Sequence, residues 1–216
     1  MKILVTAGPT REALDPVRFL TNRSSGKMGY ALADALVRAG HEVILISGPV
    51  SVPVPEGLSG FVSVESAAQM AEAVHAAFSA CDAVVMCAAV ADYRPAEPSP
   101  EKIHKEDGVF VLRLERTEDI LLSLGRMKKP GQILAGFAAE TEDLRRHALE
   151  KMARKNLDWI VANRVGLPDR GFQSDDNAAT VYARSGAVFD FPLMSKKLLA
   201  EKIAALLFGG QRPTAS

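Results

Sequence analysis

Residues 82–89, DAVVMCAA, decide the fold because every residue after the first is apolar. A strand with one face in water would alternate polar and apolar residues, so this run predicts a strand that is buried on both faces. Apolar stretches of similar length recur along the chain, and segments of helical period separate most of them. They lie at 2–6, 42–47, 60–64, 133–138 and 158–163. Such alternation predicts a mostly parallel sheet covered by helices on both faces, a three-layer Rossmann-like α/β fold.

The remaining elements extend this sheet. The segment 109–116 alternates and predicts a half-exposed strand, and 178–191 predicts a C-terminal β-hairpin turning at Ser185–Gly186. Helices are predicted near 26–39, which Gly40 stops, at 66–80 with Ser66 as N-cap, near 142–156 and at 195–208. The long stretches 7–25 and 90–108 are expected to be irregular. We predict a single nucleotide-binding domain over 1–208 and a loose tail over 209–216.

The composition excludes several classes of protein. The 216 residues are 48% apolar, and 26 basic residues balance 26 acidic ones. Zero net charge argues against a nucleic-acid or membrane-surface partner, and no apolar run reaches the roughly 18 residues of a membrane span. Cys81 and Cys87 lack a metal-ligand spacing and are expected to be small buried thiols in a reducing compartment. The first residues predict a strand rather than a signal peptide, so we expect a cytoplasmic protein.

In a doubly wound sheet the ligand binds outside the carboxyl ends of the strands, near the switch in strand order. The loops after Thr6, Ser47, Ala89, Ala138 and Asn163 are therefore the candidate positions.

The stretch NRSSGKMGYALADAL, residues 22–36, carries polar and small residues into a helical pattern. Ser24, Ser25 and Gly26 would present backbone N–H groups at a helix N-terminus, where the macrodipole favours an anion. Gly26 and Gly29 have no side chain and would let an anion approach the backbone closely. The alternative is that Ser25 simply caps the helix.

Two common nucleotide motifs are missing from this region. The turn after the first strand is TAGPTRE, which lacks the GxGxxG pattern, and Ser47–Gly48 follow the second strand where an NAD site expects an acidic residue. The SSGKMG stretch lacks the first glycine of a Walker A loop and the hydroxyl after Lys27. The sequence thus argues against NAD(P) and against a P-loop.

Two further clusters carry charges suited to phosphate. The loop 87–105 holds Asp92, Arg94, Lys102 and Lys105 just past a buried strand. Aspartate is a hard ligand for a metal carried by phosphates, and lysine binds polyphosphate as a point charge. Lys151 and Lys155 are four residues apart and share a helix face. Each cluster could instead be a solvated charged surface, but all three lie beside predicted strand ends, which favours one shared site.

These segments resemble the phosphopantothenoylcysteine synthetase family. The resemblance spans nearly the whole chain and rests on five blocks of sequence. They are TAGPTREALDPVRFLTNRSSGKMG (6–29), CAAVADYR with PEKIHK (87–105), GFAAET (136–141), KNLDWIVAN (155–163) and GFQSDDN (171–177).

The resemblance implies a ligase that joins 4'-phosphopantothenate to cysteine with CTP. The substrate carboxylate attacks the α-phosphate and releases pyrophosphate, and the acyl-cytidylate then takes the cysteine amine and releases CMP. A carboxylate acylates poorly, so a mixed anhydride supplies the leaving group while the protein positions reactants and neutralises phosphate charge.

The family's catalytic residues match three positions of this chain. Asn22 would handle the acyl-cytidylate, its amide donating to a carbonyl oxygen as charge develops. Arg18 would hold the pantothenate carboxylate or phosphate as a fork. Lys102 would bind the triphosphate while the intermediate forms.

The binding residues predicted from the sequence and from the resemblance form two sets. The nucleotide set is Ala89, Asp92, Lys102, Phe137, Lys151 and Lys155, with Asp92 also the candidate ligand for Mg²⁺ or Mn²⁺. The phosphate and substrate set is Arg18, Asn22, Ser24, Ser25 and Gly26. Asn163 and Asn177 are further candidates, although Asn177 could equally cap the turn before the hairpin.

The resemblance also implies partners. Family members form dimers, and bacterial members are usually fused behind a flavin-dependent decarboxylase, so a homodimer and such a fusion or association are expected. The segment 178–191 offers apolar surface for a dimer, or could be buried within the monomer. An ATP-using member of the family and a non-catalytic or NAD(P)-type nucleotide-binding domain are the alternatives. The charge pattern does not favour a third class, a regulatory partner module.

Overall fold

The computed structural model describes residues 1–105, 107–140, 142–164 and 174–209. Within them, eight strands form the central sheet and two short pairs lie outside it. The central strands are β1 (Lys2–Ala7), β4 (Glu42–Ser47), β5 (Gly60–Ser63), β6 (Ala83–Met86), β9 (Ile133–Glu140), β10 (Trp159–Arg164), β11 (Asp176–Ala183) and β12 (Val188–Ser195). The short pairs are β2 (Arg11–Ala13) with β3 (Phe19–Thr21), and β7 (Tyr93–Pro95) with β8 (Leu114–Arg116).

The central sheet has the order β12-β11-β10-β9-β6-β1-β4-β5. The strands from β5 to β10 are parallel, and β11 and β12 join as antiparallel neighbours. The predicted α/β class and the C-terminal hairpin are thus confirmed, and the chain turns at Gly186, whose φ is 91°.

Five helices cover the sheet in the described residues. They are α1 (Lys27–Arg38), α2 (Ala67–Phe78), α3 (Ile120–Met127), α4 (Leu144–Arg154) and α5 (Lys196–Phe208). Helices α1 and α5 pack with Ile3 and Val5 on one face, whereas α2, α3 and α4 pack with Leu4 on the other. Successive residues of β1 point to opposite faces, so this central strand requires the uninterrupted apolar run that the sequence shows.

Local chemistry sets the helix ends where the sequence predicted them. Ser66 Oγ accepts from Gln69 N at 3.2 Å, and the Gln69 side chain accepts in return from Ser66 N. This capping box starts α2. Gly40, with φ 85°, ends α1, and His41 N beyond it donates to Leu36 O at 3.1 Å, which satisfies carbonyls of the last turn.

Three expectations were wrong in detail. The stretch 7–25 contains the β2–β3 pair, and only 114–116 of the predicted strand 109–116 is a strand, paired with β7 rather than with the central sheet. The strand predicted over 82–89 ends at Met86, because the backbone of Ala89 bonds to the loop after β1 instead.

Helix α3 was not predicted at all. It has eight residues with Gly125 inside, too short for a clear helical period, although Asp119 before Ile120 is a typical N-cap. The tail beyond residue 209 and the start of the GFQSDDN block, 171–173, lie outside the described residues.

Candidate active site

A cavity of about 280 Å³ opens at the carboxyl ends of the parallel strands. It lies beside β1 and β6, where the chain winds away in opposite directions: β1 leads through α1 to β4, and β6 lies on the other side. This is the switch point at which doubly wound sheets bind ligands. Its lining includes most of the predicted binding residues, namely Ser24, Ser25, Gly26, Ala89, Asp92, Phe137, Lys151, Lys155, Asn163 and Asn177.

The first wall of the cavity is the N-terminus of α1. The N-cap is Gly26, in the left-handed region with φ 75°, so Ser25 does not occupy the capping position. Gly26 N donates to Ser24 Oγ at 3.3 Å, and the first turn of α1 contains no acidic residue. The helix macrodipole there faces the cavity and is not offset by an acidic residue of its own first turn, which favours an anionic ligand.

Gly29 serves packing as well as access. A Cβ at this position would lie 2.6 Å from the Ala7 Cβ and 3.1 Å from the Thr6 carbonyl oxygen. The missing side chain therefore lets α1 approach β1 closely, and this seats the helix N-terminus at the strand end.

Asn22 joins two walls of the cavity rather than lining it. Its Nδ2 donates to the Ala89 carbonyl, and its Oδ1 accepts from Ser24 N at 3.1 Å. Ala89 N in turn donates to Gly8 O at 2.8 Å. The side chain thus fixes the loop after β6 against the loop that precedes α1.

The second wall is built by α3 and α4. Lys151 Nζ donates to Phe137 O at 2.7 Å, and Lys155 Nζ lies 2.6 Å from Asp119 Oδ1. Lys155 is 9% exposed. Burial acts to raise the pKa of Asp119, but the hydrogen bonds from Lys155 and from Leu122 N outweigh it and the pKa lies below its usual value. Two cations are therefore held at fixed positions on this wall.

A glycine brings the ends of these two helices together. A Cβ on Gly125 of α3 would lie 2.1 Å from the Lys155 carbonyl oxygen, so only glycine allows the approach. Asn156, with φ 54°, donates from Nδ2 to Gly125 O at 2.9 Å and completes the contact.

The third wall contains a lysine that the sequence analysis missed. Lys196, the first residue of α5, lines the cavity and is 6% exposed. Burial and the nearby charge of Lys27 lower its pKa. Cys87 lines the same side, and burial raises the pKa of its thiol to about 12, so the thiol is protonated at neutral pH. The only available signal was a lysine at the first position of a helix, which sequence reasoning treats as surface.

Asn177 also lies on this side, 5% exposed, at an irregularity in the pairing of β11 with β12. Its Oδ1 accepts from Ala178 N at 3.0 Å. It belongs to a strand, so the alternative that it caps a turn before the hairpin is wrong.

The remaining predicted residues lie outside the cavity lining, mostly within 93–105 and 107–116, which we name the arm. Lys102 and Lys105 are exposed there, and Arg94 pairs with Glu115, their side-chain atoms 2.7 Å apart. Asp92, at the base of the arm, is exposed at the cavity edge, and its carbonyl accepts from Thr117 N at 3.0 Å.

Arg18 ties the arm to the body of the domain. Its guanidinium bonds to the buried carboxylate of Asp15 and donates from Nη2 to Ile103 O at 2.7 Å. Ile103 N donates to Asp15 Oδ2 at 3.1 Å. The Arg18 pair holds the pKa of Asp15 well below its usual range. Both backbone groups of Ile103 are therefore gripped, next to Lys102.

Among the described residues, no group of three or more His, Cys, Asp or Glu side chains could hold a metal ion. Asp92 is an exposed carboxylate at the cavity edge, and the cavity is also lined by Asp119 and by Glu118, which pairs with His75.

None of the helices in the described ranges is both long and apolar enough to cross a lipid bilayer.

Fold and cavity together define an α/β domain with a Rossmann-like sheet and a cationic cavity at the switch point. The chain belongs to the family described as the DNA/pantothenate metabolism flavoprotein C-terminal domain, whose model matches residues 1–209. The predicted family resemblance is thereby confirmed.

Several relatives in this family are known. The chain is 54% identical over 194 residues to the Coenzyme A biosynthesis bifunctional protein CoaBC of Bacillus subtilis (strain 168), covering 90% of this chain and 48% of that protein. The protein of the same name from Vibrio cholerae serotype O1 is 43% identical over 208 residues, which cover 95% of this chain and 52% of the relative. The chain thus spans about half the length of these relatives.

A crystal structure of the C-terminal domain of a CoaBC protein superposes with a TM-score of 0.79 at 46% identity, covering 95% of this chain and 92% of that one. The residues of this chain therefore correspond to the C-terminal domain of such a protein.

Proposed function

We propose that this domain joins 4'-phosphopantothenate to L-cysteine at the expense of CTP, as a step in the biosynthesis of coenzyme A. Membership of the family and the relatives' names support the pathway. The observation that carries the proposal is the meeting of three separate segments at one cavity: the N-terminus of α1, the loop after β6, and the lysines of α4. A helix N-terminus with fixed ammonium groups suits a nucleoside triphosphate.

In the first half-reaction a carboxylate oxygen of phosphopantothenate forms a bond to the α-phosphorus of CTP. The bond from that phosphorus to the bridging oxygen breaks, and pyrophosphate leaves with the electron pair. The backbone N–H groups around Gly26 and the ammonium groups of Lys151 and Lys155 would hold the nucleotide, and Lys102 would approach the triphosphate from the arm. Positioning and charge neutralisation are the protein's whole contribution to such a step.

In the second half-reaction the cysteine amine attacks the acyl carbon, CMP leaves, and the amine loses its proton to solvent. Asn22 would stabilise the oxygen on which charge develops. Its amide contacts Ala89 and Ser24, so the same side chain also sets the distance between the two loops that would hold the acyl and nucleotide groups.

Choice of CTP over ATP would depend on the wall formed by Phe137 and Ala89. Lys151 fixes the Phe137 carbonyl by a 2.7 Å hydrogen bond, and a fixed acceptor suits the amino group of cytosine. An adenine would present its amino group at a different distance from the ribose. An ATP-using member of the family remains the alternative.

We also propose Mg²⁺ or Mn²⁺ as the partner of the nucleotide. Asp92 is an exposed carboxylate at the cavity edge, whereas the other two carboxylates of the lining, Glu118 and Asp119, pair with His75 and Lys155. One carboxylate fits an ion that keeps most of its ligands from phosphate and water. Such an ion would neutralise phosphate charge.

A homodimer is proposed as well. The hairpin is not the best surface for it, because β11 lies within the sheet and β12 alone is an edge. The arm exposes more apolar area: Val109, Phe110 and Val111 are 91%, 66% and 77% exposed. We propose that these residues contact the second copy, and that a flavin-dependent decarboxylase is fused to or associated with the domain, as the bifunctional relatives suggest.

The experiment supplies the protein with CTP, Mg²⁺, phosphopantothenate and cysteine, and follows pyrophosphate, CMP and the ligated thiol. We expect the three products in equal amounts, and pyrophosphate without free CMP in a single turnover lacking cysteine. A reaction without phosphopantothenate is the control, and ATP replaces CTP in a parallel series. If neither nucleotide yields pyrophosphate, the ligase proposal is wrong, and stabilisation by NADH alone would support the dinucleotide alternative.

A further inference from the structure

Lys196 occupies a position that folding alone does not favour. As the first residue of α5 it lies at the positive end of the helix macrodipole. It is 6% exposed, so its ammonium has lost most of its hydration. The charge of Lys27 lies close enough to oppose it further.

The N-termini of α1 and α5 meet at this point. Lys27 Nζ lies 2.6 Å from Asp175 Oδ1, and Lys196 N donates to Asp175 O at 2.8 Å. Neither helix has an acidic residue in its first turn. Ser195 Oγ already caps α5 by accepting from Leu198 N at 3.3 Å, so the start of the helix does not depend on the Lys196 side chain.

Carboxylates also act on the Lys196 ammonium. The carboxylates of Asp175 and Asp176 favour its charged form, but Asp175 also serves Lys27, and both aspartates are exposed. The Cys87 thiol beside it is protonated and brings no charge. A ligand anion in the cavity would interact favourably with the macrodipole, with Lys27 and with Lys196 together.

We propose that Lys196 is a substrate-binding residue whose ammonium contacts a phosphoryl group in the cavity, on the side opposite Lys151 and Lys155. This rests on the proposed function for the identity of the ligand, which is either the nucleotide triphosphate or the phosphate of phosphopantothenate. Both offer the same chemistry, a phosphoryl group whose oxygens carry negative charge.

The test compares Lys196→Met with the parent in binding of CTP with Mg²⁺, of phosphopantothenate, and of tripolyphosphate as a probe. Lys197→Met is the matched control, because Lys197 is exposed on the same helix turn. We expect tripolyphosphate and one of the two substrates to bind about ten- to hundredfold more weakly, with KM for cysteine unchanged. The substrate affected identifies the source of the phosphate. Parent affinity for all three would overturn the proposal.

A measurement on the parent protein covers the case in which Lys196→Met does not fold. With ¹³C-labelled lysine, the Lys196 Cε signal is assigned by its absence in Lys196→Arg and followed during titration with tripolyphosphate. It should shift while the Lys197 signal stays, and an unchanged Lys196 signal would refute the contact. Tripolyphosphate needs no turnover, so failure of ligation would count against the proposed function and not against this site.

Discussion

Lys155 on the second wall of the cavity, called the wall from here on, and Lys102 on the arm carry the same charge in opposite surroundings. Lys155 is buried and held by Asp119, whereas Lys102 is exposed and only the neighbouring Ile103 is anchored. A buried ammonium is in position before any ligand arrives. If Lys102 binds the triphosphate as proposed, the arm has to bring it to the cavity, because Lys102 is not among the lining residues. The wall is thus suited to recognising the substrate, and the arm to completing the site after binding.

Lys102→Gln tests the arm and should give the largest effect. Removing a cation that acts only on the triphosphate should slow pyrophosphate release by about 10²- to 10³-fold, with Tm unchanged because the side chain is exposed. Stopped-flow pyrophosphate detection and a thermal melt measure the two quantities. Lys202→Gln, exposed on α5, is the control. Full pyrophosphate release by Lys102→Gln would remove this residue from the chemistry.

Lys155→Met tests the wall and should lower both the stability of the fold and its affinity for the nucleotide. Its loss leaves the Asp119 carboxylate without its 2.6 Å partner. Because that carboxylate is 37% exposed, the free energy of unfolding should fall by about 1 kcal/mol or less, while nucleotide binding should weaken about tenfold or more. Urea titration and calorimetric binding give the two values. Arg154→Met, on the exposed side of the same turn, should change neither greatly. A loss of affinity with parent stability would mean that wall and arm do not differ in the way described.

Much of the scaffold could be predicted from the sequence because burial leaves a periodic signal. The parallel strands of the central sheet follow apolar runs, and Ser66 with Gln69 predicts the start of α2. The candidate wall residues Phe137, Lys151 and Lys155 were found through family resemblance and helix spacing, and the structure brings them together.

Other features depend on contacts distant in sequence and left no such signal. Glu12 and Asp15 belong to the block 6–29 that carries the family resemblance, yet both have structural contacts. Glu12 Oε1 accepts from Ala67 N of α2 at 2.9 Å, and Asp15 anchors Arg18 and Ile103. Lys196 joins the cavity only because β11 and β12 bring the start of α5 back to the α1 N-terminus. Such pairings are properties of the tertiary structure.

Gly125→Ala sharpens the comparison by moving the wall without touching a charge. The new Cβ would meet the Lys155 carbonyl oxygen at 2.1 Å, so α3 and α4 must separate, at a cost of about 1–3 kcal/mol in unfolding free energy. Nucleotide affinity should fall with it, because Lys155 is displaced from Asp119. Gly60→Ala is the control, since its Cβ would meet only Ile44 side-chain atoms at 3.5 Å. Parent stability in Gly125→Ala would show that the wall is not rigid.

The smallest effect concerns pH and the Asp119 carboxylate. Although burial opposes it, Lys155 and Leu122 N lower the pKa of Asp119 in the folded protein below its ordinary value of 3.8. In the pH range between the two pKa values, the folded state therefore binds fewer protons than the unfolded state. The stability contributed by the ionised Asp119 carboxylate is present above pH 3.8 and is lost as the pH falls through the folded pKa. With 37% of the side chain exposed, the contribution should stay below about 1 kcal/mol. Urea titrations of the parent and Asp119→Asn should differ at pH 7 and converge below pH 3.8, whereas Asp107→Asn on the arm should follow the parent throughout. A difference that persists in acid would mean that the carboxylate acts through packing rather than charge, and the wall would then be fixed by shape instead of by its ion pair.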